Sequence, residues 1–347
     1  MPRLSPTPAS SDSAHARARL VGTLTILTTL FAWTSIPLFL RFFADFVDPW
    51  TSNGWRYGIS ALLWAPLLLW CAKRRSLPKG LFIAALVPAC VNSLGQICFT
   101  TAHYQIEPGL LTFGLRTQMV FVAAGAYLLF PRERRVITAP RYLIGLVALA
   151  IGTSMAVLAG DEPVRGGTAL GILLAVSSGM LFAGYGLSVR RFMSGYRSVV
   201  AFAAISQYTA FAMLVLMLIL GERAGFTAID HGLDIFGLLL LSGVIGIGIG
   251  HVLYYISIAR LGVAISAGVL QLHPFTVAIA SYFLFGEVLT PAQWTGGCIA
   301  LAGAVAMLSV QGRLQPSMPG AMNVKPAPED DADSPPGALP STRVARR

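Results

Sequence analysis

The chain has 347 residues, of which 55% are hydrophobic and 12% charged, about half the roughly 25% charge of soluble domains. So little charge cannot keep a soluble surface wet, which excludes a water-soluble enzyme or binding module. The net charge of +10 would suit nucleic acid in a polar chain. In one this apolar it reads as cytoplasmic loop charge, and no nucleic-acid partner is expected.

Residues 1–19 are polar and read as a disordered cytoplasmic tail. The run from Leu20 to Leu40 is too long for the apolar stretch of a cleavable signal and long enough to cross a bilayer. Spans are predicted at roughly 20–41, 53–72, 80–103, 108–130, 142–159, 167–189, 198–220, 235–259, 262–286 and 292–311, each sufficient for a ~30 Å hydrocarbon core. Their continuous apolar character fits helices; barrel strands would alternate polar and apolar residues. Residues 312–347, rich in Pro, Ala, Ser and charge, read as a disordered cytoplasmic tail. The fold class is therefore an all-α integral membrane protein of about ten transmembrane helices.

Loop charge orients the spans. Alternate loops are basic (Lys73, Arg74, Arg75 and Lys79; Arg132, Arg134 and Arg135; Arg190, Arg191 and Arg197; Arg260), and those between them are acidic (Asp45 and Asp48; Glu107; Asp161 and Glu162; Asp230 and Asp234; Glu287). Basic loops face the cytoplasm, so both termini are expected inside.

The chain also repeats. A shift of 155 places GQICFTTAHY at Gly95 on GHVLYYISIA at Gly250, and the register runs ungapped from 115–130 onto 270–285. Loop charges swap sign between the copies: Glu107 against Arg260, Arg132 to Arg135 against Glu287. Five spans per copy is an odd number, so the second copy must lie upside down. The expectation is two inverted five-helix repeats, 20–160 and 166–311, an arrangement that holds its substrate near the midplane between the copies.

Here the sequence resembles the drug/metabolite transporter superfamily, in its ten-helix branch of two EamA-type repeats. The resemblance is carried by the Trp33 region, Arg56, GHVLYYISIARLGVA (250–264), the Pro274 helix ending in FLFGE, and QWTGGCIALAGAVAML (293–308). Met119 stands where Pro274 does in the second copy. The resemblance implies a carrier, often an exporter, of amino acids or other small metabolites in the bacterial inner membrane.

Ionisable groups are scarce inside the spans. Arg116 is the clear exception, with His251 and His273 for company, and an intramembrane ionisable residue marks a functional site by default. Glu107 lies nine residues before Arg116, on the opposite face of one helix. Arg116 therefore needs an interhelical partner, water or an anionic substrate, the alternatives being bonds to carbonyls or snorkelling. Under the 155 shift Arg116 corresponds to Gln271, Gln118 to His273 and Gln96 to His251. Polar residues at symmetry-related places suggest a shared wet cavity; interhelical hydrogen bonding would explain them equally. Positions 116 and 118 stand about 200° apart on a helix, so both cannot face it squarely. Tyr254, Tyr185 and Trp33 could line the cavity or simply pack. Arg56 could bind substrate or anchor the outer interface. These ten residues form the candidate substrate site.

The function read from this pattern is a secondary carrier that exports a small polar or amphipathic metabolite by alternating access. A channel or non-transporting scaffold is the alternative, and an intramembrane enzyme the more distant one, since no span holds paired carboxylates or a metal cluster. No cofactor or metal is expected. The partners are a small-molecule substrate and the bilayer; the proton is a candidate coupling ion and a homodimer a candidate assembly.

Overall fold

The computed structural model describes residues 8–159, 169–261 and 263–314. All regular structure among them is helical. Ten long helices follow in order: α1 (Pro8–Phe43), α2 (Pro49–Lys73), α3 (Leu81–His103), α4 (Pro108–Leu129), α5 (Pro140–Leu158), α6 (Ala169–Phe192), α7 (Ser198–Leu220), α8 (Leu233–Ile258), α9 (Ile265–Phe285) and α10 (Pro291–Leu314). Nine have both the length and the apolarity to cross a membrane. The tenth, α2, is 25 residues long but carries Thr51, Ser52, Asn53, Arg56 and Ser60, all buried. Its polar face turns inward.

Proline sets several starts. Pro49, Pro108, Pro140 and Pro291 each open a helix, where the missing N–H has no intrahelical acceptor to satisfy. Asp48 completes the start of α2, accepting from the amides of Trp50 at 2.9 Å and Thr51 at 3.0 Å. Large apolar side chains such as Phe31, Leu62, Ile144, Phe211 and Phe283 stand exposed around the bundle, an arrangement that suits lipid rather than water.

The first helix corrects one expectation. Residues 8–19 continue α1 where their polar composition suggests a disordered tail. Ala9, Ala14, Ala16 and Ala18 with Arg17 and Arg19 are strong helix formers, and extending an existing helix avoids the cost of nucleation. Residues 1–7, the loop holding Asp161 and Glu162, and the tail from 315 onward lie outside the described residues.

Helix packing follows a two-fold pattern in which each helix n of the first half stands for n + 5 of the second. α5 packs on α10, α2 on α7 and α4 on α9, each pair mapping onto itself. The remaining pairs come in couples: α3 on α6 with α8 on α1, α4 on α6 with α9 on α1, α3 on α7 with α8 on α2. The α5–α10 seam is a close crossing of facing glycines. A Cβ at Gly145 would stand 2.7 Å from the Gly303 carbonyl, and one at Gly303 2.5 Å from that of Gly145; Gly152 and Gly296 face each other in the same reciprocal way. Early residues of α5 meet late residues of α10, so the pair is antiparallel, as inverted copies require.

That seam has no room to spare. A Cβ on Gly152 would stand 2.3 Å from the Ala300 amide nitrogen, backbone against backbone. Gly152→Val should cost about 1–3 kcal/mol through forced separation of the helices, read as a lower melting temperature in detergent. Gly186→Ala, where an added Cβ meets nothing within 4 Å, should melt like the parent.

Matched contacts also close the two ends. At the acidic-loop end Arg41, finishing α1, stands 5.8 Å from the Phe285 ring centroid and 3.7 Å from Glu107. At the basic-loop end Arg190, near the end of α6, stands 4.2 Å from the Phe130 ring centroid and pairs with Glu133.

Candidate functional site

Three of the ten helices are interrupted: α8 by a π-helical stretch, Gly243–Ile249, and α4 and α9 by breaks that coincide under the repeat. In α4 the residues Leu115–Thr117 form a 3-10 turn between Pro108–Gly114 and Gln118–Leu129. In α9 the helix stops at Leu270 and restarts at His273. There the amides of Gln271 and Leu272 bond to Gly268 and Val269, three residues back, at 3.1 and 3.0 Å. Pro274 explains the second break: lacking an N–H, it cannot supply the Leu270 carbonyl. Residues 115–117 plus 155 give 270–272, so each break falls where the other does.

The breaks touch. Arg116 Nη1 donates to Gln271 Oε1 at 3.4 Å, and Arg116 Nη2 to His273 Nδ1 at 3.3 Å. Because Arg116 and Gln271 occupy equivalent positions, their contact lies on the pseudo-two-fold axis. Neither bond ends on a main-chain carbonyl, both are long, and Arg116 Nε is buried without a partner. His273 Nε2 lies 3.1 Å from the Trp33 carbonyl. A guanidinium only donates and a carbonyl only accepts, so both contacts hold together only when His273 is neutral with its hydrogen on Nε2. Beside them Phe113, Leu149, Pro274 and Phe275 line a cleft with about 10 Å³ of space for water, enough for one molecule. No metabolite fits in this conformation.

Trp33 joins this crossing to a second group. Its ring lies 5.3 Å from His251 and 5.3 Å from Tyr254, while His251 stacks on Phe202 at 4.9 Å. Trp33 Nε1 and His251 Nδ1 are buried with no hydrogen-bond partner. Gly250 lets the indole approach, since a Cβ there would sit 2.7 Å from Trp33 Nε1. The remaining predicted residues stand apart from the crossing. Tyr185 packs with Leu68, Ala89 and Ala204. The Gln96 carbonyl accepts from Asn53 Nδ2 at 3.4 Å. The Gln118 main-chain nitrogen lies close to Gly179 of α6.

Arg56 departs from an interface anchor: it is 1% exposed, and its Nε donates to Ser242 of α8 at 3.0 Å. Two further residues escape sequence reasoning. Glu287 reaches from the end of α9 to the start of α4, accepting from the amides of Gly109 and Leu110 at 2.9 Å each. Gly286, at φ +70, takes the left-handed turn that aims it there. Burial pushes the Glu287 carboxyl above the usual range, and those amides offset part of the rise. His103 ends α3 and bonds the Phe99 carbonyl through Nδ1 at 2.8 Å, with Nε2 unpartnered. Its signal was its residue type at a span end. Among the described residues no three His, Cys, Asp or Glu side chains gather as a metal site would need.

Comparison with known proteins agrees with this architecture. The model of the EamA-like transporter family matches residues 20–158 and again 169–309. No curated protein matches. A solved structure described as "Crystal structure of protein" is similar with a TM-score of 0.58 and 15% identity, over 86% of this chain and 99% of that one. At that identity the likeness is one of fold.

Proposed function

Because the chain belongs to the EamA-like transporter family, and so is a membrane transporter of the drug/metabolite type, we propose that it is a secondary carrier exporting a small metabolite by alternating access. The cargo is an amino acid or a similar small polar or amphipathic compound, and the membrane is the cytoplasmic one. The observation that carries this reading is the crossing of two discontinuous helices on the pseudo-two-fold axis, with Arg116 from one copy against Gln271 and His273 from the other. Broken helices at corresponding places in inverted copies are where carriers bind.

In this mechanism Arg116 takes an acidic group of the cargo, trading two long contacts to neutral acceptors for ion-paired ones. Gln271 and His273 then offer their freed acceptors to the cargo's donors. The Trp33, His251 and Tyr254 rings would wall its apolar part. The proton is the coupling ion we favour, since protonating His273 at Nδ1 would displace Arg116. The basic loops put both termini in the cytoplasm.

Counterflow tests the carrier reading. Purified protein in liposomes preloaded with unlabelled amino acids and organic acids should transiently accumulate the matching labelled compound above its outside concentration. Equilibration without overshoot would indicate a channel, and no flux with any of them a scaffold; either result overturns the proposal.

A further inference from the structure

The seam of facing glycines draws α5 and α10 together, and on its lipid side lies an open groove. Leu143, Ile144, Val147, Ala148 and Ile151 of α5 line it with Ile299 of α10, around a volume of about 500 Å³. The cleft beside Arg116 offers about 10 Å³, so of the two only the groove has room in this conformation for anything larger than water. Every lining side chain is aliphatic, and Leu143, Ile144, Val147 and Ile151 are exposed. Such a surface takes hydrocarbon rather than a polar molecule.

Arg141 stands at the mouth of the groove. It lies in the first turn of α5, at the basic-loop end, and that turn holds no acid. Ala148, seven residues on, stands within about 20° of Arg141 around the helix, and Ile144 within about 60°. Ile151 is ten residues on and ~15 Å deeper, half of a ~30 Å hydrocarbon core. The groove therefore runs from the surface of one leaflet to the bilayer middle, the reach of a single acyl chain. Arg141 is exposed and enters no ion pair among the described residues. Its charged neighbours are engaged elsewhere: Arg134 donates to the Tyr127 carbonyl at 2.9 Å, and Glu133 pairs with Arg190. A cation in the first turn also opposes the helix dipole, which favours an anion there. A phosphate at this end would answer the guanidinium and the dipole together.

We propose that this groove binds an anionic phospholipid, its phosphate at Arg141 and one acyl chain lying along α5 as far as Ile151. The aliphatic wall gives affinity for any chain, and Arg141 gives the preference for a head group of net negative charge. The site is separate from the crossing of α4 and α9, yet it adjoins the same seam. Ala148 lines the groove and Leu149, the next residue, lines the cleft beside Arg116, so a seated lipid braces the helix that backs that cleft.

The test takes purified full-length protein, delipidated in neutral detergent, with phosphatidylglycerol or phosphatidylcholine of identical chains. Binding of the first lipid is read by native mass spectrometry and by lipid-induced thermal stabilisation. The parent should bind phosphatidylglycerol roughly fivefold more tightly, the worth of one basic residue at a lipid surface. Arg141→Gln should erase that preference and leave phosphatidylcholine binding unchanged, while Arg141→Lys should keep it. Ala148→Trp, which fills the groove, should weaken both lipids alike by tenfold or more. Arg141 is exposed, so its variants should fold whatever Ala148→Trp does. Arg74→Gln, at the far end of α2 where Arg74 stands 4.6 Å from the Trp70 ring centroid, should change nothing. A preference that survives Arg141→Gln, or that Arg74→Gln removes equally, overturns the proposal. Equal stabilisation by inorganic phosphate also overturns it, as does a dimer that Ala148→Trp breaks, since a second copy would then be the occupant.

Discussion

Arg116→Gln should abolish transport of anionic or zwitterionic cargo while the protein still reaches the membrane in normal amounts. Truncating one partner of a buried charged contact costs about 2–3 kcal/mol or more, roughly a 30- to 150-fold loss of affinity. Arg116→Lys keeps the charge and loses the fork, so it should weaken affinity by less. The geometry argues for recognition over architecture. The guanidinium holds two long contacts to neutral side chains, its Nε holds none, and Gln at the equivalent position 271 serves the second copy. The measurements are melting temperature and cargo-induced stabilisation of purified variants. A Gln variant that melts earlier yet binds cargo as tightly as the parent would reassign Arg116 to a structural role.

The largest stability loss is expected at Glu287. Its carboxylate serves two backbone amides of α4 across the repeats, and Glu287→Ala leaves both unpaired in a site only 8% exposed. Each orphaned donor costs about 1–3 kcal/mol, so the variant should lose about 2–4 kcal/mol and melt roughly 5–10 °C lower. Glu287→Gln should lie between, because its amide nitrogen cannot accept. Acidity gives an independent readout. Burial raises both the Glu287 and the Glu107 carboxyl, with Arg41 pulling Glu107 partly back. A carboxyl raised in the folded state contributes stability that is complete below its ordinary value of 4.5 and is lost as pH rises through the folded value. The melting temperature should therefore climb as neutral buffer is acidified toward that value. Substituting both residues with Gln should flatten the climb; a parent profile already flat would refute the assignment.

Much of the fold was legible because the signals were long. Twenty-residue apolar runs and alternating loop charge each persist over many residues, and the 155-residue register ties them together. Of the candidate site, Arg116, Gln271 and His273 were legible as symmetry-related polar positions, and the fold brings them into contact. The breaks were not. The 3-10 turn at 115–117 carries no proline of its own, and the π-helical stretch Gly243–Ile249 reads in sequence as ordinary small-residue packing. Of the two readings of Arg56, interface anchoring does not fit, because packing against α8 buries a side chain only seven residues from the helix start. Glu287 looked like loop charge, since nothing local reveals an acceptor whose donors lie 178 residues away in sequence.

In the alternating-access mechanism proposed above, a chain of two inverted copies reaches its second access state by exchanging the roles of the copies. Were the copies identical, the two states would be degenerate and equally occupied. The resting bias must therefore be encoded where the copies differ, and the closures at the two ends differ. Arg190 stands 4.2 Å from its aromatic partner and Arg41 stands 5.8 Å from its own, while Arg41 reaches Glu107 only at 3.7 Å. Attraction of both kinds weakens with distance, so the Arg41 contacts are the weaker of the two arginine closures, while Glu287, bonded to the Gly109 and Leu110 amides at 2.9 Å, adds a tie at the acidic-loop end. A difference of about 1.4 kcal/mol between the summed closures of the two ends already shifts such a carrier tenfold toward opening at the weaker end.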